Sequence, residues 1–203
     1  MGAIEFNDQR LTPGKIVCIG KNYVAHIEEM GSPIPDDMVV FIKPTSAIGD
    51  NLVAYRDETI HFEGEICLLM GEHGVAGVGF GLDLTKRATQ AKLKAAGLPW
   101  ERAKAFDGAA LFSPFVTAPA DLQTLRLELY IDERIQQQGG SNLMMYPPAT
   151  ILTELAKFIR LEPGDIVMTG TPAGVGAVQA GQRFVGKVFS GERELISAEW
   201  LAR

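Results

Sequence analysis

The sequence predicts an α+β protein whose strands form a predominantly antiparallel, barrel-like sheet. Three observations support this fold class: strand-like segments outnumber helical ones, most of them return as hairpins, and they do not alternate regularly with helices. The chain has 203 residues, of which 46% are hydrophobic and 22% charged, and that is enough to bury one good core. No internal repeat, linker or low-complexity segment divides it, so we expect one domain over residues 1–203.

Charge and hydropathy argue against several classes of partner. The formal net charge is −6, and no run of Lys and Arg with interleaved aromatic residues occurs, which argues against nucleic acids and anionic membrane surfaces. The first residues lack a basic segment followed by an apolar one, and no apolar run reaches about 18 residues. We therefore expect a cytoplasmic protein without a membrane span, in which Cys18 and Cys67 are buried and reduced.

The first elements follow from apolar runs and the residues that interrupt them. A buried strand is predicted over residues 15–20, where an apolar run follows Lys15. Residues 21–30 continue as a short helical turn that ends at Gly31-Ser32-Pro33. A second strand is predicted over residues 39–43, where Pro44 closes the apolar run.

The next strand-like run, from His61 to Met70, carries Glu63 and Glu65 among apolar residues. Alternate side chains of a strand share a face, so the two glutamates point the same way. The opposite face is formed by Phe62, Ile66, Leu68 and Met70. A buried carboxylate is costly unless it is paired or bound to a metal, and Mg²⁺ binds carboxylates while keeping positions open for substrate. With Asp83 as a third carboxylate, the pattern indicates a divalent metal site. The alternative, which Glu-x-Glu alone favours, is a solvated pair on an open sheet face.

A glycine-rich piece follows, and its run Gly77-Val78-Gly79-Phe80-Gly81 lacks the spacing of a dinucleotide-binding loop and indicates close backbone packing instead. A helix is predicted over residues 84–96, ended by Gly97-Leu98-Pro99. Strict alternation over residues 125–131 predicts a half-buried strand that turns at Asp132-Glu133 into a hairpin.

The last third of the chain contains one more helix and a final hairpin. Residues 147–160 have an amphipathic pattern typical of a helix, and a buried strand is predicted over residues 165–169. Two further runs, residues 183–189 and 194–197, form a hairpin around Ser190-Gly191.

A few further polar groups could carry chemistry. His26 and Glu29 are neighbours on one face of a helical turn, which suits a base and the carboxylate that assists it. Lys104 lies between aromatic residues and is a candidate buried cation, and Thr171 lies in a polar turn that could face an anion. Taken singly, each has a simpler interpretation: a surface pair, a lysine whose stem covers apolar surface, and an ordinary turn.

Together these motifs resemble those of the fumarylacetoacetate hydrolase family, and the resemblance extends over roughly residues 15–181. The matching blocks, in order, are Gly20-Lys21-Asn22-Tyr23-x-x-His26, Phe41-x-Lys43-Pro44, Glu63-x-Glu65, Leu82-Asp83-Leu84-Thr85-x-Arg87-x-x-Gln90, Trp100-x-x-Ala103-Lys104-x-Phe106-Asp107 and Pro163-Gly164-Asp165-x-x-x-Thr169-Gly170-Thr171-Pro172-x-Gly174-Val175-Gly176. Within the family, the chain is most similar to the small single-domain members that act on acylpyruvates and oxaloacetate.

The resemblance implies a mixed β roll with barrel-like sheets, assembled as a homodimer, and a role for each matched residue. The implied ligands of Mg²⁺ or Mn²⁺ are Glu63, Glu65 and Asp83. The implied catalytic residues are Lys104 and the pair His26 and Glu29, which lies on a mobile segment and activates water. The residues expected to contact the substrate are Lys21, Tyr23, Arg87, Gln90 and Thr171.

The resemblance also implies a reaction, namely cleavage of a carbon–carbon bond in a small anionic 2-oxo acid by way of a pyruvate enolate. Hydrolysis of acylpyruvates to pyruvate and a carboxylate is the first expectation. Oxaloacetate decarboxylation and the decarboxylation or isomerisation of unsaturated oxo-diacids are alternatives, and so is a binding protein that has lost its chemistry. The enzymatic alternatives follow from the reactions of relatives. Three departures from the family pattern leave an altered substrate preference or reduced activity open: the short segment from Gly71 to Gly81, Ala88 where many relatives have Asp, and Lys21 where Arg is common. The first two of them motivate the binding-protein alternative.

Overall fold

The computed structural model describes residues 2–203. Its strands in chain order are β1 Ile4–Phe6, β2 Gln9–Leu11, β3 Lys15–Gly20, β4 Val39–Pro44, β5 Tyr55–Arg56, β6 Glu58–Phe62, β7 Gly64–Gly71, β8 Gly74–Asp83, β9 Thr85–Lys86, β10 Ala110–Phe112, β11 Val116–Thr117, β12 Leu125–Ile131, β13 Arg134–Gly140, β14 Ile166–Met168, β15 Gly176–Ala177, β16 Arg183–Ser190 and β17 Arg193–Leu201. Its helices are α1 Val24–Glu29, α2 Arg87–Ala95, α3 Glu101–Lys104 and α4 Pro148–Leu155. Three 3-10 turns cover Thr45–Ala47, Leu122–Thr124 and Ser141–Leu143.

The strands form one large sheet, one medium sheet and two small ones. The large sheet has the order β10-β8-β7-β14-β3-β4, with β11 also paired to β8. The medium sheet has the order β13-β12-β16-β17, and a small sheet has the order β15-β6-β5 with β9 added to β6. Within residues 2–203, every paired strand is antiparallel to its neighbour except β14, which is parallel to β3. The predicted fold class, α+β with mainly antiparallel curled sheets, is therefore confirmed.

The main core lies between the large sheet and the medium sheet. Ile66 and Leu68 on β7 belong to this core, while Cys67 and Leu69 face a second cluster on the other side of the large sheet. This alternation is the one predicted from the sequence, and Cys67 is free and buried, as expected. Within residues 2–203, no helix is long and apolar enough to cross a membrane.

Glycines allow β8 to pass close to its neighbours. A Cβ at Gly77 would lie 2.9 Å from the ring of Phe6, and one at Gly81 would lie 2.5 Å from the Cys67 sulfur. The prediction that these glycines serve close packing is confirmed. The short segment between Gly71 and Gly81 is a tight β-hairpin, in which Gly71 pairs with Gly74.

The same close approach occurs between the large sheet and the medium sheet at Gly186 on β16, where a Cβ would overlap the ring of Phe80. We expect Gly186→Ala to destabilise the protein by about 1–3 kcal/mol, because the ring has no room to move in a packed core. This should lower the melting temperature by about 2–12 °C in a chain of this length. Lys187→Ala, at the next and outward-facing position of β16, is the control, and an equal effect of both changes would contradict the packing argument.

Several predicted elements differ from the structure at their ends; the last strand, predicted over residues 194–197, extends over Arg193–Leu201. The strand predicted over residues 61–70 is two strands, β6 and β7, that belong to different sheets and meet at Glu63. The helix predicted from residue 84 begins at Arg87, because Thr85 and Lys86 pair with β6 first. The helix predicted over residues 147–160 ends at Leu155, where the backbone tightens into i→i+3 hydrogen bonds such as Phe158 N–H to the Leu155 oxygen.

Candidate metal centre and active site

Three buried carboxylates converge where β6 passes into β7 and where β8 ends. Glu65 lies on β7, and Asp83 is the last residue of β8. Glu63 lies between β6 and β7, and its main-chain oxygen accepts the Asp83 N–H at 2.8 Å. One oxygen from each carboxylate lies within 4.8 Å of the others, and the three residues are 1–6% exposed. Glu63 and Glu65 therefore converge, as expected from Glu-x-Glu. They do not lie on one continuous strand, however, because the chain passes from one sheet to another at Glu63.

Three buried or half-buried cations surround these carboxylates. The Lys104 ammonium donates to Glu63 Oε2 at 2.9 Å, to Asp83 Oδ2 at 2.8 Å and to the Thr85 hydroxyl at 2.7 Å. On the far side of Glu63, Arg87 Nη2 donates to Oε1 at 2.5 Å.

The third cation, Lys43, lies behind Asp83. Its Nζ is 2.8 Å from Asp83 Oδ1 and also donates to the main-chain oxygens of Lys104 and Ala109, at 3.0 Å for Ala109. Lys43 is completely buried. It therefore connects the end of β8 with the short helix α3 that carries Lys104.

Burial and neighbouring charges act in opposite directions on these groups. Burial by itself raises the pKa of Glu63, but the Lys104 ammonium and the Arg87 guanidinium outweigh it and hold that pKa well below its usual range. Burial lowers the pKa of Lys104, but the Asp83 and Glu63 carboxylates outweigh it and raise that pKa. Burial raises the pKa of Glu65 well above its usual value, and the Asp83 and Glu63 carboxylates raise it further.

The donor set fits a hard divalent cation. Carboxylate oxygens are the ligands that Mg²⁺ and Mn²⁺ prefer, and three residues leave positions open for water or substrate. Among residues 2–203, Glu65 forms no ion pair; the hydrogen bond that its carboxylate accepts comes from Gly170 N–H, at 2.7 Å. A buried carboxylate without a counter-cation is costly, and a bound metal ion would remove that cost.

A pocket of about 40 Å³ opens beside Glu63 and Lys104. Four further residues expected at the site also line it: Lys21, His26, Arg87 and Gln90. Arg87 and Gln90 are three residues apart on α2, and Arg87 Nη1 donates to Gln90 Oε1 at 2.8 Å. The structure thus brings His26 and the cations Lys21, Arg87 and Lys104 to the edge of the carboxylate cluster.

The His26 ring is held from behind by Glu29. His26 Nδ1 lies 3.4 Å from Glu29 Oε2, and Glu29 Oε1 accepts the Gly174 N–H at 3.0 Å. A proton on Nδ1 directed to Glu29 leaves Nε2 with its lone pair. Glu29 therefore fixes the ring and joins α1 to the loop after β14, and its own side chain does not line the pocket.

Two of the expected substrate contacts lie outside the pocket lining. The Thr171 hydroxyl donates to the Gly64 oxygen at 2.9 Å and accepts from Gln137 Nε2 at 2.8 Å, so it holds the backbone between the two glutamates. Tyr23 is 2% exposed, and its hydroxyl has no hydrogen-bond partner among residues 2–203. Burial raises the pKa of Tyr23, and the nearby Glu65 carboxylate raises it further.

Sequence reasoning missed the roles of two lysines. Lys43 was part of a matching block but had no assigned role. The sequence feature that points to it is a lysine inside the apolar run of β4. Lys94 lines the pocket at its mouth. The sequence feature that points to it is its spacing of four residues from Gln90 and seven from Arg87, because this spacing puts all three on one face of α2. Among residues 2–203, Lys94 has no ion-pair partner; its ammonium lies 6.0 Å from the centre of the Trp100 ring.

Comparison with known proteins agrees with this geometry. The family model for the fumarylacetoacetate (FAA) hydrolase C-terminal domain matches residues 15–198. The oxaloacetate tautomerase YcgM of Escherichia coli is 40% identical over 185 residues, covering 82% of this chain and 84% of that protein. A mitochondrial oxaloacetate decarboxylase of Dictyostelium discoideum is 33% identical over 189 aligned positions, covering 84% and 87%.

Solved structures show the same likeness. The fumarylpyruvate hydrolase of Pseudomonas aeruginosa, crystallised with Mn²⁺ and pyruvate, superimposes with a TM-score of 0.87 at 30% identity. The match covers 99% of this chain and 96% of that one. The sequence motifs, the curled sheets and the carboxylate cluster therefore have one common explanation: this chain belongs to the fumarylacetoacetate hydrolase family.

Proposed function

We propose that this chain is a divalent-metal-dependent enzyme that acts on small 2-oxo acids, and that its principal reaction is the interconversion of the keto and enol forms of oxaloacetate. One observation carries the proposal: a single pocket combines a histidine with the edge of a buried carboxylate cluster and with two cations, Arg87 and Lys104. The similarity to oxaloacetate tautomerases supports the choice of reaction. We also propose that residues 1–203 act as one catalytic domain, because the main core extends from Val17 to Ala202.

Glu63, Glu65 and Asp83 would hold the metal, which is Mg²⁺ or Mn²⁺. When bound, the cation supplies a Lewis acid that stabilises negative charge developing on the keto oxygen of the substrate. The protein contributes the rest of the electrostatics, since Arg87 and Gln90 present hydrogen-bond donors to a substrate carboxylate in the pocket.

Proton transfer is the chemical step that the pocket can perform. His26 accepts the proton from the carbon between the keto group and the second carboxylate, and Glu29 keeps the ring in the tautomer that can do so. The keto oxygen gains a proton in the same conversion, and Lys104 is the proton donor that lines the pocket. The reverse sequence returns the enol to the keto form.

Carbon–carbon cleavage is a second candidate, because the solved relative that contains Mn²⁺ and pyruvate is a hydrolase of fumarylpyruvate, an acylpyruvate. In that reaction His26 would deprotonate water, which attacks the distal carbonyl, and the leaving fragment is the enolate of pyruvate. Decarboxylation of oxaloacetate produces the same fragment without water. The same residues therefore support hydrolysis and decarboxylation, and the substrate offered decides between them.

The test starts from protein stripped of metal by a chelator and then supplied with Mg²⁺ or Mn²⁺. The keto–enol conversion of oxaloacetate is followed by ultraviolet absorbance of the enol, and pyruvate release from oxaloacetate and from acetylpyruvate is measured in parallel. Metal-restored tautomerisation above the metal-only background supports the proposal. Faster pyruvate release than tautomerisation would make the protein a decarboxylase or hydrolase instead, and no metal-restored turnover would contradict all three.

His26→Ala should lower the rate of tautomerisation by about 10²–10⁴-fold, the usual contribution of a positioned general acid or base. Metal binding should be unchanged, because His26 is not among the carboxylates. For cleavage, we expect hydrolysis of acetylpyruvate to fall more than decarboxylation of oxaloacetate, since only hydrolysis needs a deprotonated water. Equal losses in both cleavage reactions, or weakened Mn²⁺ binding, would refute the role given to His26.

A further inference from the structure

The buried charges of the site balance when all three carboxylates are ionised. Glu63, Glu65 and Asp83 carry three negative charges when ionised, and Lys43, Lys104 and Arg87 carry three positive ones. The side chains of five of these six residues are 8% exposed or less, and that of Arg87 is 18% exposed. Water therefore screens this set poorly, and its net charge strongly affects what binds.

Metal binding changes this balance. Ligation requires ionised carboxylates, so a divalent cation adds two positive charges to a set that is otherwise neutral. The charged groups at the pocket mouth do not offset them, because Lys21 and Lys94 are both cations. For the six buried groups and the metal together, a monoanion leaves a net positive charge, whereas a dianion brings the net charge to zero.

We propose that Lys43 sets the ionic class of the substrate: its fixed charge weakens the binding of metal alone and strengthens the binding of metal together with a doubly charged 2-oxo acid. This inference rests on the proposed function, and it adds the residue that makes the site select a doubly charged substrate. Lys43 does not line the pocket, so it acts through Asp83 and through the field of its ammonium. It is a positioning residue in that sense.

A purely structural role for Lys43 leads to the opposite expectation for metal binding. Two of its three contacts are main-chain oxygens, those of Lys104 and Ala109, which a neutral donor could satisfy equally well. If Lys43 served only to place Asp83, its loss would misplace a ligand and weaken metal binding. If its charge matters, its loss leaves the carboxylates one cation short and strengthens metal binding.

The decisive variant is Lys43→Gln, which removes the charge but retains N–H donors for the two main-chain oxygens. Titration calorimetry with Mn²⁺ alone should show binding about tenfold tighter than in the wild type. Lys15→Met is the matched control, because Lys15 lies on the same sheet as Lys43 but pairs with the buried Asp165, which is not part of the site. Its Mn²⁺ affinity should not change.

Anion binding to the Mn²⁺-loaded proteins gives the second readout. Oxalate, a dianion, and oxamate, a monoanion of the same size, are both bidentate and are not turned over. In Lys43→Gln the dissociation constant should rise about tenfold for oxalate and about threefold for oxamate, because the lost interaction scales with ligand charge. Equal changes for the two anions, or weaker Mn²⁺ binding, would overturn the inference.

The wild type provides a test that does not depend on a variant folding. Its Mn²⁺-loaded form should prefer oxalate over oxamate by a larger factor than aqueous Mn²⁺ does, because the excess positive charge acts in a poorly hydrated site. An equal or smaller preference would contradict the inference. Failure of the proposed function looks different, since the wild-type protein would then show no metal-restored turnover whatever its anion preference.

Discussion

Replacing Glu65 by Gln is expected to abolish metal-dependent turnover while the fold is retained. The amide keeps an oxygen that can accept the Gly170 N–H, but it removes one of the three anionic ligands. Loss of partners that only support metal ligands already costs about 10–100-fold, so loss of a ligand should exceed a hundredfold. Mn²⁺ titration and turnover in the same preparation give the measurement.

The same change should make the metal-free protein more stable. Burial and two neighbouring carboxylates raise the pKa of Glu65, which means that its ionised form is costly in the folded state and that removing the charge relieves this cost at neutral pH. The melting temperature in excess chelator should therefore rise. Glu194→Gln, an exposed glutamate on β17, is the control and should alter neither quantity. Undiminished metal-dependent turnover in Glu65→Gln would eliminate the proposed metal site.

Replacing Lys104 by Met should destabilise the metal-free protein by about 3–5 kcal/mol, the usual cost of breaking a buried ion pair from one side. The change removes three hydrogen bonds of 2.7–2.9 Å and leaves Glu63 and Asp83 with one cation fewer. For a chain of this length the melting temperature should fall by roughly 6–20 °C. Turnover should also be lost, since Lys104 lines the pocket.

Added Mn²⁺ should restore much of the stability lost in Lys104→Met, because the ion supplies positive charge to the same carboxylates. The metal-induced rise in melting temperature should therefore be larger in the variant than in the wild type. Lys15→Met, which also breaks a pair with a buried aspartate but outside the site, should lose stability that Mn²⁺ does not restore. The same metal-induced rise in Lys104→Met and wild type would show that the ion and Lys104 do not share these carboxylates.

Local patterns identified most elements of the fold. Alternation over residues 125–131 and the turn at Asp132-Glu133 correspond to the β12–β13 hairpin, and the apolar run over residues 15–20 is β3. These predictions depend on which face of a strand each side chain occupies, and that is a property of neighbouring residues. The ends of elements were predicted less well, because β9 and the break at Glu63 depend on pairing with distant strands.

For the site, the order of the motifs was sufficient to choose the carboxylates and to place His26, Arg87, Gln90 and Lys104 near them. It was not sufficient to separate pocket residues from supporting ones. Thr171 and Tyr23 belong to the same motifs. The Thr171 hydroxyl, however, donates its hydrogen bond to the main-chain oxygen of Gly64, and Tyr23 is buried outside the pocket lining.

The sequence by itself determined the kinds of residue that the site contains, the family to which its motifs correspond and the alternation that separates the two faces of β7. The tertiary structure alone decided the charge balance. Lys43 on β4 and Lys104 on α3 meet Asp83 on β8 from opposite sides, although the three residues lie far apart in the chain. Electrostatic energy depends on separation in space and on burial, and both arise only when the sheets and α3 have packed together.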